Sequence, residues 1–279
     1  MPKWTSKISL VPFSLNIVIG PRRVGKTMGM KLLIRELLRR EENPYALFYF
    51  DCGVLENHRE IVEVVNEYIK IKERRRIKTS YIFLDEVTLV PEWWRAVKYL
   101  VDRRKLKLDV ITITGSVTIA AERHIGAFGD RQGNGKTVEV MPLSFRGYYN
   151  LFHEDFFSSK GQEVFEGYLE TGGYLAYLNR KLRTNEVMSV IKADVRALGK
   201  STSAARNIIG AILDVAPDPV SLRKLAERAG VSAPTVREYL ELFEGLHILL
   251  PSPSWTLGEE SSQERIGSSQ SGTPSWRGQ

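Results

Sequence analysis

Two short stretches of this chain carry residue types at spacings that can do chemistry. The first, Gly20-Pro21-Arg22-Arg23-Val24-Gly25-Lys26-Thr27, fits the pattern G-x-x-x-x-G-K-[ST] of a phosphate-binding loop. Gly20 and Gly25 can take backbone angles that aim successive N–H groups at an anion, and a helix starting at Lys26 would add its positive N-terminal end at the same spot. Lys26 would then reach the terminal phosphates of ATP, Thr27 would place its hydroxyl on Mg2+, and residues Gly20 to Met28 would line the nucleotide. The second stretch is Asp85-Glu86, which closes the apolar run Tyr81-Ile82-Phe83-Leu84. Asp85 suits the Mg2+ shell that Thr27 completes, and Glu86 can polarise a water for in-line attack on a γ-phosphate. The duller explanations are a plain glycine turn for the loop and helix capping for the carboxylates. Thr114 and Ser116, in the run "DVITITGS", could present a hydroxyl to the γ-phosphate or the water, although small polar residues commonly end strands.

These residues need strands and helices to bring them together. Asn16-Ile17-Val18-Ile19 precedes the loop as a short strand, and "MGMKLLIRELLRR" follows it as a helix. "YALFYFD" reads as a buried strand, and the next segment carries Ile61, Val64, Val65, Tyr68 and Ile69 at helical spacing. After "YIFLDE" comes a helix with Trp94, Val97, Leu100 and Val101 on one side, then the β-branched strand 109–116. Alternating strands and helices predict a parallel sheet with helices on both faces and the chemistry at one edge. The glycine-rich stretch 117–140 shows only a short final strand, and "MPLSFRGYYNLF" opens a helical region broken at "TGGYLAYLN". Residues 203–250 read as three helices at helix-turn-helix spacing, with Ser221 and Ser232 as N-caps, Pro234 in a first turn and Gly230 as a stop.

At 279 residues, 43% of them apolar, the chain can hold a nucleotide-binding domain and one small partner domain. No apolar run approaches the roughly 18 residues of a membrane span and the first ten residues lack a signal peptide's apolar core, so a cytoplasmic location without a membrane partner is expected. The single cysteine, Cys52, excludes an internal disulfide, and no Cys/His set has zinc spacing. His124, His153 and His247 stand isolated and are read as structural. Net charge is +7, but residues 1–200 hold 33 Lys and Arg against 24 Asp and Glu while 201–279 hold 7 against 9. Attraction for nucleic acid should therefore come from the first part.

"GPRRVGKT", "YIFLDEVTLVPEWWRAVKYL", "ITITGS", "MPLSFRGYYNL" and "TGGYLAYL" together resemble the successive signatures of a prokaryotic, mostly archaeal, AAA+-type ATPase family with a C-terminal winged helix. The resemblance spans roughly residues 10–250. It implies an α/β fold: a parallel-sheet P-loop NTPase domain, a helical region and a helix-turn-helix domain. By it, Lys26 and Thr27 are nucleotide ligands, Asp85 and Glu86 the metal and water carboxylates, and Ser116 a sensor-strand residue. The family commonly has Gly-Arg just before its Pro-Leu-Ser-Phe motif. The nearest match here, Gly129-Asp130-Arg131, makes Arg131 the candidate arginine finger, acting on a second copy of the chain.

The resulting division is 1–145 as the P-loop ATPase core, 146–202 as a lid-like helical region, 203–250 as a truncated winged helix and 251–279 as a tail. Relatives usually continue into a wing hairpin and often a nuclease-like domain, whereas 15 of the last 29 residues here are Ser, Gly or Pro. The tail is expected to be disordered, either naturally or through a shifted reading frame. The helix from Ser232 offers Thr235 and Arg237 but also Glu238, Glu241 and Glu244, which suits a structural or protein-contact role better than reading DNA. The run "KIKERRRIK", 70–78, is the stronger electrostatic candidate for nucleic acid, with a solvated helix end as its alternative. The leading expectation is an Mg2+-dependent ATPase acting as a switch or motor, with ATP, DNA and further copies of itself as candidate partners. The alternatives are a DNA-binding regulator that holds ATP with little turnover and a small-molecule P-loop kinase.

Overall fold

The computed structural model describes residues 2–40, 43–102, 107–116, 128–151, 161–178, 184–216, 218–246 and 248–249. Five strands form one parallel sheet: β1 (Ser14–Gly20), β2 (Leu47–Asp51), β3 (Tyr81–Asp85), β4 (Val110–Ser116) and β5 (Thr137–Glu139), in the spatial order β2-β3-β4-β1-β5. The helices α1 (Lys26–Arg40), α2 (His58–Arg74) and α3 (Trp93–Asp102) provide the crossovers between the first four strands. β4 and β1 lie at the centre, and their runs of β-branched residues are buried on both faces. One face is covered by α2 and α3 through Ile61, Val65, Ile69, Val97 and Leu100. The other is covered by α1 through Met30, Leu33 and Leu37, with Ile8 of the N-terminal segment beside them.

Two expectations need correction here. β2 is an edge strand, so its residues are half-buried rather than fully enclosed; its aromatic richness suits a surface with one packed neighbour strand. On α3 the inward set is Trp93, Ala96, Val97 and Leu100, while Trp94 and Val101 only flank the core, because the helix begins at Trp93 with that ring turned inward.

After β5 come α4 (Phe145–Tyr149), α5 (Gly161–Thr171), α6 (Leu175–Leu178) and α7 (Thr184–Ala197). Gly172 and Gly173, at φ of +58° and +72°, break the chain between α5 and α6. A side chain at Gly173 would meet the carbonyl oxygen of Leu143 at 2.1 Å, and Leu143 N–H donates to the Gly173 carbonyl at 2.9 Å. The "MPLSF" and "TGGY" segments thus dock on each other directly. The helix-turn-helix consists of α8 (Thr202–Leu213), α9 (Leu222–Ala229) and α10 (Ala233–Gly245) around its own core of Ile208, Leu225, Val236, Tyr239 and Phe243. Its caps are those expected: the hydroxyls of Ser221 and Ser232 accept from Lys224 N–H and Thr235 N–H, and Gly230 turns left-handed at φ +67°. Leu213 is exposed and Ile209 half-buried. The tail 251–279, His124, His153 and His247 lie outside the described residues.

Candidate nucleotide site

Parallel strands point their carboxyl ends the same way, and the sheet order then decides which ends are neighbours. β4 sits between β1 and β3, pairing Gly20 with Ser116 on one side and Leu84 with Ile113 on the other. The loop after β1, the hydroxyls ending β4 and the carboxylates ending β3 therefore share one crevice at the carboxyl edge, where open α/β sheets hold ligands.

The loop is held in a special conformation. Gly20, at φ +150°, would collide through any Cβ with the Val140 carbonyl oxygen at 2.0 Å, because the chain leaving β5 crosses it closely. Arg23 and Gly25 have φ of +65° and +97°, which turns the backbone tightly into the N-terminus of α1. Lys26 is buried, and its Nζ donates to the carbonyls of Gly20 and Pro21, both at 2.8 Å. Burial pulls its pKa down to about 8, against the attraction of Glu86 and Asp85. Phosphate oxygens are stronger acceptors for an ammonium than these carbonyls.

Asp85 is buried and both its oxygens take hydroxyl hydrogens, Oδ2 from Tyr49 at 3.0 Å and Oδ1 from Thr114. Thr114 in turn accepts from the Glu86 N–H at 3.0 Å. That bond helps hold Glu86 in the left-handed region at φ 51°, where the chain turns out of β3. Burial raises the Glu86 carboxyl above the usual carboxylate range, with nearby Lys26 opposing the rise. Thr88 closes the crevice from below: its hydroxyl accepts from Ser116 N–H at 3.0 Å and its side chain lies against Gly115. Among the described residues, Glu86 Oε2 and Ser116 Oγ are buried polar atoms with no hydrogen-bond partner. Two such atoms beside a lysine and a positive-φ loop suit a polar ligand carrying donors and acceptors, such as a nucleotide with its attacking water.

Most of the residues singled out in the sequence are brought together: Gly20, Lys26, Asp85, Glu86 and Ser116 gather at the crevice, with Thr27 at the start of α1. Of the two hydroxyls ending β4, Thr114 is committed to Asp85 and only Ser116 remains open. Arg131 is elsewhere. It pairs with Asp102 at 3.1 Å and lies beside Phe13, Leu15 and Asp109 at the amino edge of the sheet, away from its own chain's loop. Any action of Arg131 on a nucleotide would have to be on that of a second copy. Three contributors carry no mark in the sequence: Tyr49, Thr88 and Asp194. Asp194, on α7, pairs with Arg22 of the loop and is largely buried. Burial raises the Asp194 carboxyl, an effect opposed by Arg22. Nothing in the sequence points to an aspartate so far from the loop as its neighbour.

Residues 13–149 match a family model described as an AAA domain. Residues 162–269 match a second model, described as a domain of unknown function. No curated protein matches the chain. Among solved structures it is similar to the Aeropyrum pernix ORC1 protein in complex with DNA, at 14% identity over 84% of this chain and 78% of that one, with a TM-score of 0.39. It is similar to the replication initiator DnaA bound to AMPPCP and single-stranded DNA, at 16% identity over 84% and 82%, TM-score 0.39. A third similarity is to Thermotoga maritima RuvB, at 14% identity over 86% and 80%, TM-score 0.37. With the phosphate loop after β1, the carboxylates ending β3 and the central β4 between them, the parallel sheet has a P-loop NTPase fold, and residues 13–149 of the chain are similar to an AAA domain.

Proposed function

We propose that the chain binds ATP with Mg2+ at residues 20–28 and hydrolyses it to ADP and phosphate, using the cycle as a switch or motor. The observation that carries this reading is the pair of buried, unpartnered atoms, Glu86 Oε2 and Ser116 Oγ, facing the crevice that Lys26 closes. Thr27 and Asp85 are the residues to hold Mg2+, which would supply positive charge against the phosphates. A carboxylate has about four lone-pair directions, so Asp85 can keep its bonds from Tyr49 and Thr114 and still face a metal-bound water or the metal. Lys26 exchanges its two carbonyl acceptors for phosphate oxygens. Glu86 orients the attacking water and takes its proton at Oε2, a role suited by a carboxyl whose pKa burial has raised. Ser116 Oγ donates to the γ-phosphate or fixes the water.

Substitution separates the two halves of this reading. Lys26→Ala removes the charge at the phosphates and should abolish ATP binding in a calorimetric titration. Glu86→Gln keeps the size and one acceptor, so it should bind ATP as the parent does while phosphate release falls by about a hundred-fold or more. Equal affinity in Lys26→Ala would remove the loop assignment, and undiminished release from Glu86→Gln would remove the base assignment.

A further inference from the structure

The opposite edge of the sheet carries a feature that the nucleotide site does not use. Leu47, Tyr81 and Val110 begin β2, β3 and β4 in register, so the chain just before each strand reaches the same amino edge. Before β2 lies Tyr45, before β3 the turn Arg74-Arg75-Arg76-Ile77-Lys78, and before β4 Lys107. All five cations are exposed. Arg74, Arg76, Lys78 and Lys107 make no ion pair among the described residues. The acidic groups around them are Glu73 on the same turn, Glu67, which pairs with Lys70, and Asp109, whose charge is taken by buried Lys72.

The turn is rigid. Arg75, Arg76 and Ile77 donate their N–H groups to Ile71, Glu73 and Lys72 carbonyls at 3.0 to 3.1 Å; Arg75 caps α2 and Arg76 follows it at φ 55°. Lys72 Nζ anchors that end of the helix by donating to both oxygens of Asp109 at 2.6 Å. The Arg75 guanidinium lies over the ring of Tyr45, 3.3 Å from its centroid, a cation–π contact that holds the charge in place. Cations held this way give up little side-chain freedom on meeting an anion.

We propose that this edge binds the phosphate backbone of a nucleic acid. The cations precede β3 and β4 and Tyr45 precedes β2, so the patch spans three neighbouring strands, a width of about 10 Å, and the exposed Arg75 guanidinium over the Tyr45 ring offers a planar face on which a base can stack. A membrane surface would call for a continuous apolar face beneath the charges, whereas the exposed apolar side chain on the cationic end of α2 is Ile71, and the others at this edge, Leu108, Val11 and Phe13, lie before β4 and β1. The helix-turn-helix is the weaker competitor, since the exposed positions of α10 include Glu238, Glu241 and Glu244 against Arg237. This surface lies at the other edge of the sheet from Lys26 and Glu86, so its existence does not depend on the ATPase reading.

The test is anisotropy of labelled single-stranded DNA, duplex DNA and RNA with the full chain over a range of salt. Four or five contacted phosphates give a slope of log affinity against log salt of about −3 to −4.5, depending on the strand form. In Arg76→Gln/Lys78→Gln that slope should become shallower by about 1.5, with ATP affinity unchanged. Lys3→Gln/Lys7→Gln, which removes the same charge elsewhere, should leave the slope as it was. The proposal is overturned by an unchanged slope in Arg76→Gln/Lys78→Gln, by an equal loss in the control, or by loss that follows Arg223→Gln/Arg237→Gln instead. Binding to phosphatidylserine vesicles in preference to every nucleic acid would also overturn it.

Discussion

Lys26 sits where two demands conflict. A nucleotide needs it as an ammonium, yet burial lowers its pKa to about 8 despite Glu86 and Asp85 nearby. As pH rises through about 8 the free protein loses the proton that the complex requires. ATP affinity should then fall by up to about ten-fold per pH unit, and binding should take up a proton. Stability moves the other way. Between about 8 and the ordinary lysine value of 10.5, the unfolded chain holds more protons at this group than the folded one, so Lys26 adds stability as pH rises. Calorimetry in two buffers of different ionisation enthalpy measures the proton uptake. An affinity that stays flat well above pH 8 would mean that Lys26 is charged throughout and that burial is not the governing effect.

At the scale of elements, the end of α2 is where the sheet is fastened. Lys72 and Asp109 form a buried pair, and Asp109 Oδ1 also accepts from the backbone and hydroxyl of Ser80 at 2.7 and 2.8 Å. Removing one partner leaves the other charge buried and uncompensated, so Lys72→Met should lower stability by about 3 to 5 kcal/mol. A denaturant titration reads this directly, and a loss under about 1 kcal/mol would show that water reaches Asp109 easily. The helical spacing of Ile61, Val65, Tyr68 and Ile69 announces α2 in the sequence. The inward Lys72 does not fit that apolar pattern, because its reason for burial is Asp109, distant in sequence at the entry to β4. Trp93 and Trp94 teach the same thing: periodicity shows that α3 exists, while its first residue decides which ring turns inward.

For the whole molecule, the contact between Arg22 and Asp194 joins the phosphate loop to the helical region. Asp194 also feels Glu86 as a like charge and Lys26 as an opposite one. Bound phosphates would add negative charge beside it, so the carboxylate and the nucleotide compete for the same cations. Asp194→Asn should therefore bind ATP more tightly, by about five- to ten-fold for one like charge removed in a partly buried site. Affinity equal to or below that of the parent would make Asp194 a support of the loop rather than its competitor.

Features that depend on residues adjacent in the chain are legible in the sequence alone: the phosphate loop, the Asp85-Glu86 strand end, the caps Ser221, Ser232 and Gly230, and the alternation of strands and helices. Their physics is local, set by backbone angles, side-chain period and hydrogen bonds a few residues apart. The sheet order, by contrast, brings Ser116 beside Gly20, gives Thr114 to Asp85 and sends Arg131 to the far edge. Contacts such as Tyr49 with Asp85, or Arg22 with Asp194, join groups far apart in sequence, and only the packing of the complete fold decides which of them meet.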